Sequence, residues 1–128
     1  MHGDENHAIA SSDFEDLRVI TLCGEWDVSN RERLRDALVG LGTESDVIVD
    51  LRQASFFDST ALAELIGLYK RLGAANRRLE ALVGDSNMRR LLELTSLDGL
   101  IGVAPTRAKY LEERLPAAEV PAQGGDVL

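Results

Sequence analysis

Cysteine and histidine are scarce in this chain of 128 residues, which has one cysteine, Cys23, and two histidines, His2 and His7. A single cysteine excludes a disulfide within the chain and a cysteine-built metal site, so nothing indicates an oxidising compartment. Both histidines lie in an N-terminal stretch that we expect to be disordered. We therefore expect no histidine general base, no Ser-His-Asp triad and no metal site. Cys23 follows an aliphatic run and is interpreted as a small buried apolar residue.

Long apolar runs and phosphate-binding loops are missing as well. No stretch approaches the roughly 18 apolar residues of a transmembrane helix. The acidic start MHGDENHAIASSDFED lacks the basic and then apolar layout of a signal peptide. Neither GxxxxGK(S/T) nor GxGxxG occurs in the chain. These absences predict a cytoplasmic protein that binds no cofactor. We also expect that it is not an enzyme, since its many carboxylates are more typical of a solvated acidic face than of a catalytic pair.

The net charge of −8 is unevenly distributed along the chain. Residues 1–50 hold 12 acidic and 4 basic side chains, whereas residues 51–128 hold 10 of each. An acidic first half would be repelled by nucleic acid and by an anionic membrane surface, but it is compatible with a basic protein partner. The arginine pairs at 77–78 and 89–90 lack interleaved aromatic residues. We interpret them as solvated helix ends rather than as a phosphate-binding patch.

Composition predicts one folded domain over residues 7–115. A chain of this length with 45% hydrophobic residues has enough apolar surface to bury a core of its own. The first six residues are expected to fray. The tail that begins at Pro116, PAAEVPAQGGDVL, has the Pro, Ala and Gly content of a disordered segment. Residues 1–6 and 116–128 are therefore predicted to be disordered.

Strand and helix patterns alternate within this domain. Strands are predicted at residues 17–23, closed by Gly24, and at 46–51, 79–83 and 101–104, with a shorter one at 7–11. Helices are predicted from a capping box of Ser29 and Glu32 to Gly42, then after Asp58-Ser59-Thr60, after Ser86, and over 106–115. The alternation predicts an α/β fold with a small mixed, mostly parallel sheet flanked by about four helices.

Two polar groups follow predicted strands. The first is Gly24-Glu25-Trp26-Asp27, and the second is Asp58-Ser59-Thr60, which comes after the strand at 46–51 and a short connection. If the two strands are parallel neighbours, both groups lie at the same end of the sheet, where α/β proteins tend to place their function. An enzyme that uses these acidic strand ends is the least favoured interpretation.

The second group contains more capping residues than one helix needs. Asp, Ser and Thr are all favoured N-caps, so helix capping alone accounts for one of them. If Asp58 caps the helix, Ser59 falls in the first turn with a hydroxyl that is free to face solvent. A phosphate there would meet the positive end of the helix dipole, which is worth about 0.3–1 kcal/mol, and would add about two negative charges. Phosphorylation would thus alter a binding surface and leave the fold intact.

Three segments of the chain carry a family resemblance when taken in order. They are GEWD at 24–27, VIVDL followed by FFDSTALAELIGLYKRL between 47 and 72, and SNMRRLLELTSLDGLIGV at 86–103. Each motif is loose alone, but their order and spacing hold from Leu17 to Glu113. Over this range the chain resembles a STAS domain of the anti-sigma factor antagonist, or anti-anti-sigma factor, type.

This resemblance implies a role in bacterial transcription regulation. Such antagonists bind an anti-sigma factor, commonly a GHKL-type serine kinase, and thereby release the sigma factor that it holds. The kinase phosphorylates the serine of an Asp-Ser-(Ser/Thr) motif, which switches the antagonist off, and a phosphatase restores it. The implied phosphorylation site is Ser59, with Thr60 as runner-up. The implied partner-binding residues are Gly24, Glu25, Trp26, Asp27, Asp58, Ser59 and Thr60.

A second interpretation stays open beside this switch. The chain could be a constitutive STAS interaction module that is never phosphorylated, such as a scaffold or a lipid-transport accessory subunit. Trp26 stands where the family more commonly has Leu, and its indole is either a partner contact or a half-buried core residue.

Overall fold

A computed structural model of the protein describes residues 7–83 and 87–94. Five strands and three α-helices follow one another in this part of the chain. They are β1 (His7–Phe14), β2 (Leu17–Trp26), α1 (Arg31–Gly40), β3 (Val47–Asp50), β4 (Ala54–Phe57), α2 (Ser59–Ala74), β5 (Leu79–Leu82) and α3 (Asn87–Leu94), with a 3-10 turn at Val28–Asn30. The predicted α/β class is confirmed.

The five strands form one mixed sheet in the order β1-β2-β3-β5, and β4 also pairs with β2. β1 runs antiparallel to β2, whereas β3 and β4 run parallel to β2 and β5 runs parallel to β3. The first half of β2 pairs with β3, up to Thr21 opposite Asp50, and its last part pairs with β4. The long strand β2 therefore pairs with two short strands, β3 along its first half and β4 along its last part. This arrangement confirms the predicted mixed, mostly parallel sheet.

β3 occupies the centre of the sheet because its sequence is almost wholly aliphatic. All four of its residues are buried, and it lies between β2 and β5. Continuous apolar runs of this kind are typical of strands that are covered on both faces. The main core includes Ile20, Val49 and Leu65. Cys23 is 4% exposed, and burial, followed by the nearby Asp50 carboxylate, raises the pKa of its thiol, as expected for a packing residue rather than a nucleophile.

The prediction that Gly24 closes the second strand is wrong. β2 continues to Trp26, and its pairing register with β4 shifts between Gly24 and Glu25. Gly24 has φ of +88°, a conformation that glycine adopts without steric cost. The extra residue at the register shift is Ser55 of β4, since Ala54 pairs with Gly24 and Phe56 with Glu25. Gly24, Glu25 and Trp26 therefore belong to a strand, and Asp27 is the first residue after it.

β4 is not among the predicted strands, because its four residues lie in the short connection between the strand at 46–51 and the following helix. Its first and last residues, Ala54 and Phe57, are buried, whereas Ser55 and Phe56 between them are exposed. The strand pairs with the end of β2, so that Phe57 lies opposite Trp26. It brings the start of α2 to the end of β2.

The predicted capping box of Ser29 and Glu32 is wrong as well. The box is formed two residues earlier, by Asp27 and Asn30 around the 3-10 turn, and α1 starts at Arg31 with no side-chain cap of its own. Ser29 is a donor to Asp27 instead. The predicted end of the helix is confirmed, since the chain leaves α1 through Gly42 in the left-handed region at φ +72°.

α2 packs one apolar face on the core, as its spacing predicts. Leu62, Leu65, Leu68 and Leu72 are buried, while Ile66 and Tyr69 are partly buried. Its Glu64 is also buried and bonds to two arginines of α1: the Arg35 Nη2–Oε2 distance is 3.1 Å and the Arg31 Nε–Oε2 distance is 3.3 Å. These ion pairs link the two helices on one side of the sheet.

Several predictions fall on residues outside the described ranges. These are the cap at Ser86, the strand at 101–104, the helix at 106–115 and the disordered ends at 1–6 and 116–128. Within the described part of the chain, the helix predicted after Ser86 is α3, which begins at Asn87 and buries Leu92.

Candidate functional site

The two predicted polar groups meet at the ends of two paired parallel strands. Trp26 at the end of β2 pairs with Phe57 at the end of β4, and the Asp58 backbone N donates to the Trp26 carbonyl at 3.1 Å. Asp27 and Asp58 are the next residues of the two strands, so the pairing places them side by side. The two groups therefore lie next to each other, as expected. The second group follows β4, however, and not β3.

Asp58 bonds to two different segments with its two carboxylate oxygens. Oδ1 accepts from the backbone N of Ala61 at 2.9 Å, which caps α2 as the sequence predicts. Oδ2 accepts from the backbone N of Val28 at 3.2 Å, thirty residues away in the chain. One side chain thus caps the helix and holds the 3-10 turn against its N-terminus.

The 3-10 turn, which we call the Val28 turn (Val28–Asn30), is closed by its own side chains. Asp27 Oδ1 accepts from Ser29 N at 2.9 Å and from Ser29 Oγ at 2.5 Å. Asn30 Oδ1 accepts from Asp27 N at 2.8 Å, and Asn30 Nδ2 donates to the Glu25 carbonyl at 2.9 Å. The hydrogen bond from the Ser29 hydroxyl, and then that from the Ser29 backbone N–H, lower the pKa of Asp27 below its ordinary value of 3.8. Asp27 is therefore ionised at neutral pH.

Ser59 stands at the first position of α2 and is exposed, whereas Thr60 is partly buried. The first backbone N–H groups of a helix point outward and carry the positive end of its dipole. Ser59 is thus accessible from solvent, in the residue after the capping Asp58. Chemically, this arrangement presents a hydroxyl for modification at the N-terminus of a helix.

Trp26 lies in the core and not on the surface. Its side chain is 0% exposed and packs edge to face against His7, with 4.9 Å between ring centroids. The guanidinium carbon of Arg33 lies 5.9 Å from the centre of the Trp26 ring. In this conformation the indole is not available to a partner, which corrects its interpretation as a contact. His7 does not lie in a disordered end: it begins β1 and is 4% exposed, which confirms the short strand predicted from residue 7.

Two exposed apolar side chains near the site were missed by sequence reasoning. Val28 is 70% exposed at the start of the Val28 turn, and Phe56 is 48% exposed on β4 opposite Glu25. The Phe56-Phe57 pair carried a partial signal, because neighbouring side chains of a strand point to opposite faces, but the sequence does not show which of the two faces the core. Nothing in the sequence distinguished Val28 from a buried aliphatic residue.

Metal ligands do not cluster in the described residues: no group of three or more His, Cys, Asp or Glu side chains there is placed to hold an ion. Across residues 7–83 and 87–94, no helix combines the length and apolar character needed to cross a membrane.

Comparison with protein families gives a match over most of the chain. The family model described as "Mlab, STAS domain" matches residues 11–102. The anti-sigma-B factor antagonist of Staphylococcus epidermidis is 33% identical over 97 residues, which cover 74% of this chain and 87% of that protein.

Solved structures share the fold at lower identity. An anti-sigma factor antagonist from Mycobacterium paratuberculosis superimposes with a TM-score of 0.72 at 22% identity, covering 88% of this chain and 97% of that one. The phosphorylated form of the Bacillus cell fate determinant SpoIIAA gives a TM-score of 0.59 at 21% identity, covering 84% and 99%. At these identities the superpositions show a shared fold.

Proposed function

This chain belongs to the STAS domain family, and on that premise we propose that it is an anti-sigma factor antagonist. The relative from S. epidermidis carries that function in its name. The protein is accordingly a binding regulator and not an enzyme. It frees a sigma factor by capturing the anti-sigma factor that holds it, and it acts in the cytoplasm, where sigma factors meet RNA polymerase.

The proposal that phosphorylation switches this protein off rests on the position of Ser59. Its hydroxyl is exposed at the N-terminus of α2, in the residue after the cap Asp58 and close to Asp27. We define the partner surface by Glu25, Asp27, Asp58, Ser59 and Thr60. Gly24 shapes its strand, and the Trp26 side chain lies beneath it.

The proposed switch is a change of charge on this surface. The anti-sigma factor is a GHKL-type serine kinase that docks over Ser59 while the hydroxyl is unmodified. Phosphorylation adds about two negative charges, which the first turn of α2 tolerates. In the docked state the same dianion would be desolvated beside two carboxylates at a cost of several kcal/mol. Because about 1.4 kcal/mol changes affinity tenfold, this cost separates the complex, and a phosphatase then restores the active form.

Ser59 is favoured over Thr60 as the phosphorylated residue because of exposure. Ser59 is open to solvent, whereas Thr60 is partly covered. A kinase must reach the hydroxyl oxygen directly, so the more exposed hydroxyl is the better acceptor.

The test is a paired capture experiment from the native host with Ser59→Ala and Ser59→Asp proteins as baits. We expect the Ala form to retain a kinase-fold anti-sigma factor and the Asp form to lose it. Ser12→Asp is the matched control: Ser12 pairs with Val19 on β2, seven residues and roughly 23 Å before Trp26 at 3.3 Å per residue. Ser12→Asp should capture as wild type does, and equal capture by both Ser59 variants would refute the switch.

A second candidate function is a constitutive STAS interaction module, such as a transport accessory subunit. The capping role of Asp58 favours it, because this role gives the motif a structural purpose without phosphorylation. Intact mass spectrometry of protein purified from its host distinguishes the two candidates. A form heavier by one phosphoryl group supports the switch, and protein that never carries phosphate supports the constitutive module.

A further inference from the structure

The exposed side chain of Val28 has no structural reason to be apolar. The conformation of its turn is fixed by hydrogen bonds that backbone N–H groups donate to the side chains of Asp27, Asn30 and Asp58, and none of them involves the valine side chain. At 70% exposed, Val28 leaves most of a β-branched aliphatic group in water. A single exposed apolar residue is common on protein surfaces. The position of this one, however, is held by the residue that precedes Ser59.

That connection runs through Asp58. Its Oδ1 caps α2 at Ala61 N, and its Oδ2 accepts from Val28 N at 3.2 Å. The Val28 turn and the helix that begins at Ser59 are therefore joined through one carboxylate. A protein surface of ordinary size that docks over Ser59 would also cover the Val28 turn, because Asp58, the residue before Ser59, contacts Val28 N.

We propose that Val28 is an apolar anchor of the partner surface and that Asp58 is the positioning residue that holds it in place. The inference rests on the proposed function, because the occupant is the anti-sigma factor. It adds a contact residue that lies outside the Asp-Ser-Thr segment, and it gives Asp58 a role in binding that is separate from helix capping.

The charges around Val28 define the chemistry of the segment that docks there. The side chains of Asp27 and Asp58 flank the turn, and exposed Glu25 precedes it. Three acidic side chains thus adjoin the anchor, and basic ones follow only from Arg31, at the start of α1. The complementary partner is a segment of the anti-sigma factor that presents an aliphatic or aromatic side chain between Lys or Arg residues.

The first measurement separates the two bonds of Asp58. Serine is a good N-cap with a single short hydroxyl, so Asp58→Ser keeps the cap at Ala61 N but loses the bond to Val28 N. Amide hydrogen exchange by NMR should show protection of Val28 reduced about tenfold or more, while protection of Ala61 changes little. Unchanged protection of Val28 would overturn the positioning role of Asp58.

The second measurement tests the anchor by isothermal titration with each purified GHKL-type anti-sigma factor of the host. Val28→Ser is compared with Val39→Ser, a matched change at a valine that is 54% exposed near the far end of α1. Val28→Ser and Asp58→Ser should each weaken binding about tenfold or more, and Val39→Ser should bind as wild type does. Equal affinities of the two valine variants would overturn the anchor.

The failures of the two proposals are distinguishable. If no anti-sigma factor binds even the Ser59→Ala protein, the proposed function fails and the anchor role fails with it, while the exchange data still decide whether Asp58 holds the turn. If Ser59→Ala binds and Val28→Ser binds as well as Val39→Ser does, the proposed function stands and only the anchor is refuted.

Discussion

At the scale of single residues, Asp27 is the group whose protonation acts most directly on the site. Hydrogen bonds from Ser29 lower its pKa in the folded protein below 3.8. A carboxyl group with a lowered folded pKa stabilises the fold above its unfolded pKa, and this contribution is lost as the pH falls through the folded pKa. Asp27 therefore favours the native state at neutral pH and loses that effect only in strong acid.

We predict that Asp27→Asn removes this part of the acid dependence. Asparagine is also a good N-cap, so the Val28 turn should persist in the variant. Urea denaturation at a series of pH values should show wild type losing more unfolding free energy than Asp27→Asn as the pH falls below 3.8. Identical pH profiles for the two proteins would contradict the assignment of the lowered pKa to the native turn.

Some single-residue features of the site could be predicted from the sequence, and others could not. The cap at Asp58 was predictable, because Asp before a helical pattern has one dominant structural use. The burial of Trp26 and His7 was not, because it depends on the continuation of β2 past Gly24 beside β4 and on the pairing of His7 in β1 with Gly24 in β2. The exposure of Val28 was hidden for the same reason, since an aliphatic residue after a strand looks like core.

At the scale of elements, the start of α2 combines stability and function in one residue. Removing the cap with Asp58→Ala should cost about 1 kcal/mol of unfolding free energy, and Asp58→Ser should restore most of it, because serine caps about as well as aspartate. Chemical denaturation of the three proteins measures this. Equal loss in both variants would mean that the stability contributed by Asp58 comes from its bond to the Val28 turn.

Elements with strong periodicity were predicted and short ones were not. The aliphatic run of β3 and the apolar face of α2 needed no tertiary information. β4 has only four residues, and its pairing with the end of β2 could not be deduced from its own sequence. The Ser-x-x-Glu pattern predicts a capping box at Ser29, but the tertiary hydrogen bond that Val28 N donates to Asp58 favours a box that starts at Asp27.

At the scale of the whole molecule, the sheet places the residues of the proposed partner surface together. β2 aligns β3 with its first half and β4 with its end, so the Asp-Ser-Thr segment lies next to the residues that follow β2. The crossover pattern predicted the mixed sheet and the shared end. The acidic balance of residues 1–50 predicted a surface suited to a basic partner, and Glu25 and Asp27 contribute to that surface. The shape of this surface could not be predicted from the sequence. It depends on the register shift between β2 and β4, on the short strand β4, and on the Asp58 carboxylate that bonds both α2 and the Val28 turn.

The most direct test of the central claim is the affinity of one purified host anti-sigma kinase for the protein before and after that kinase phosphorylates it. Calorimetry should give an affinity for the phosphorylated form at least about a hundredfold lower, because several kcal/mol of desolvation and repulsion oppose docking. Mass spectrometry should place the phosphate on Ser59, and Ser59→Ala should keep full affinity after the same treatment. Equal affinity of the two forms, or phosphate at another residue, would contradict the account.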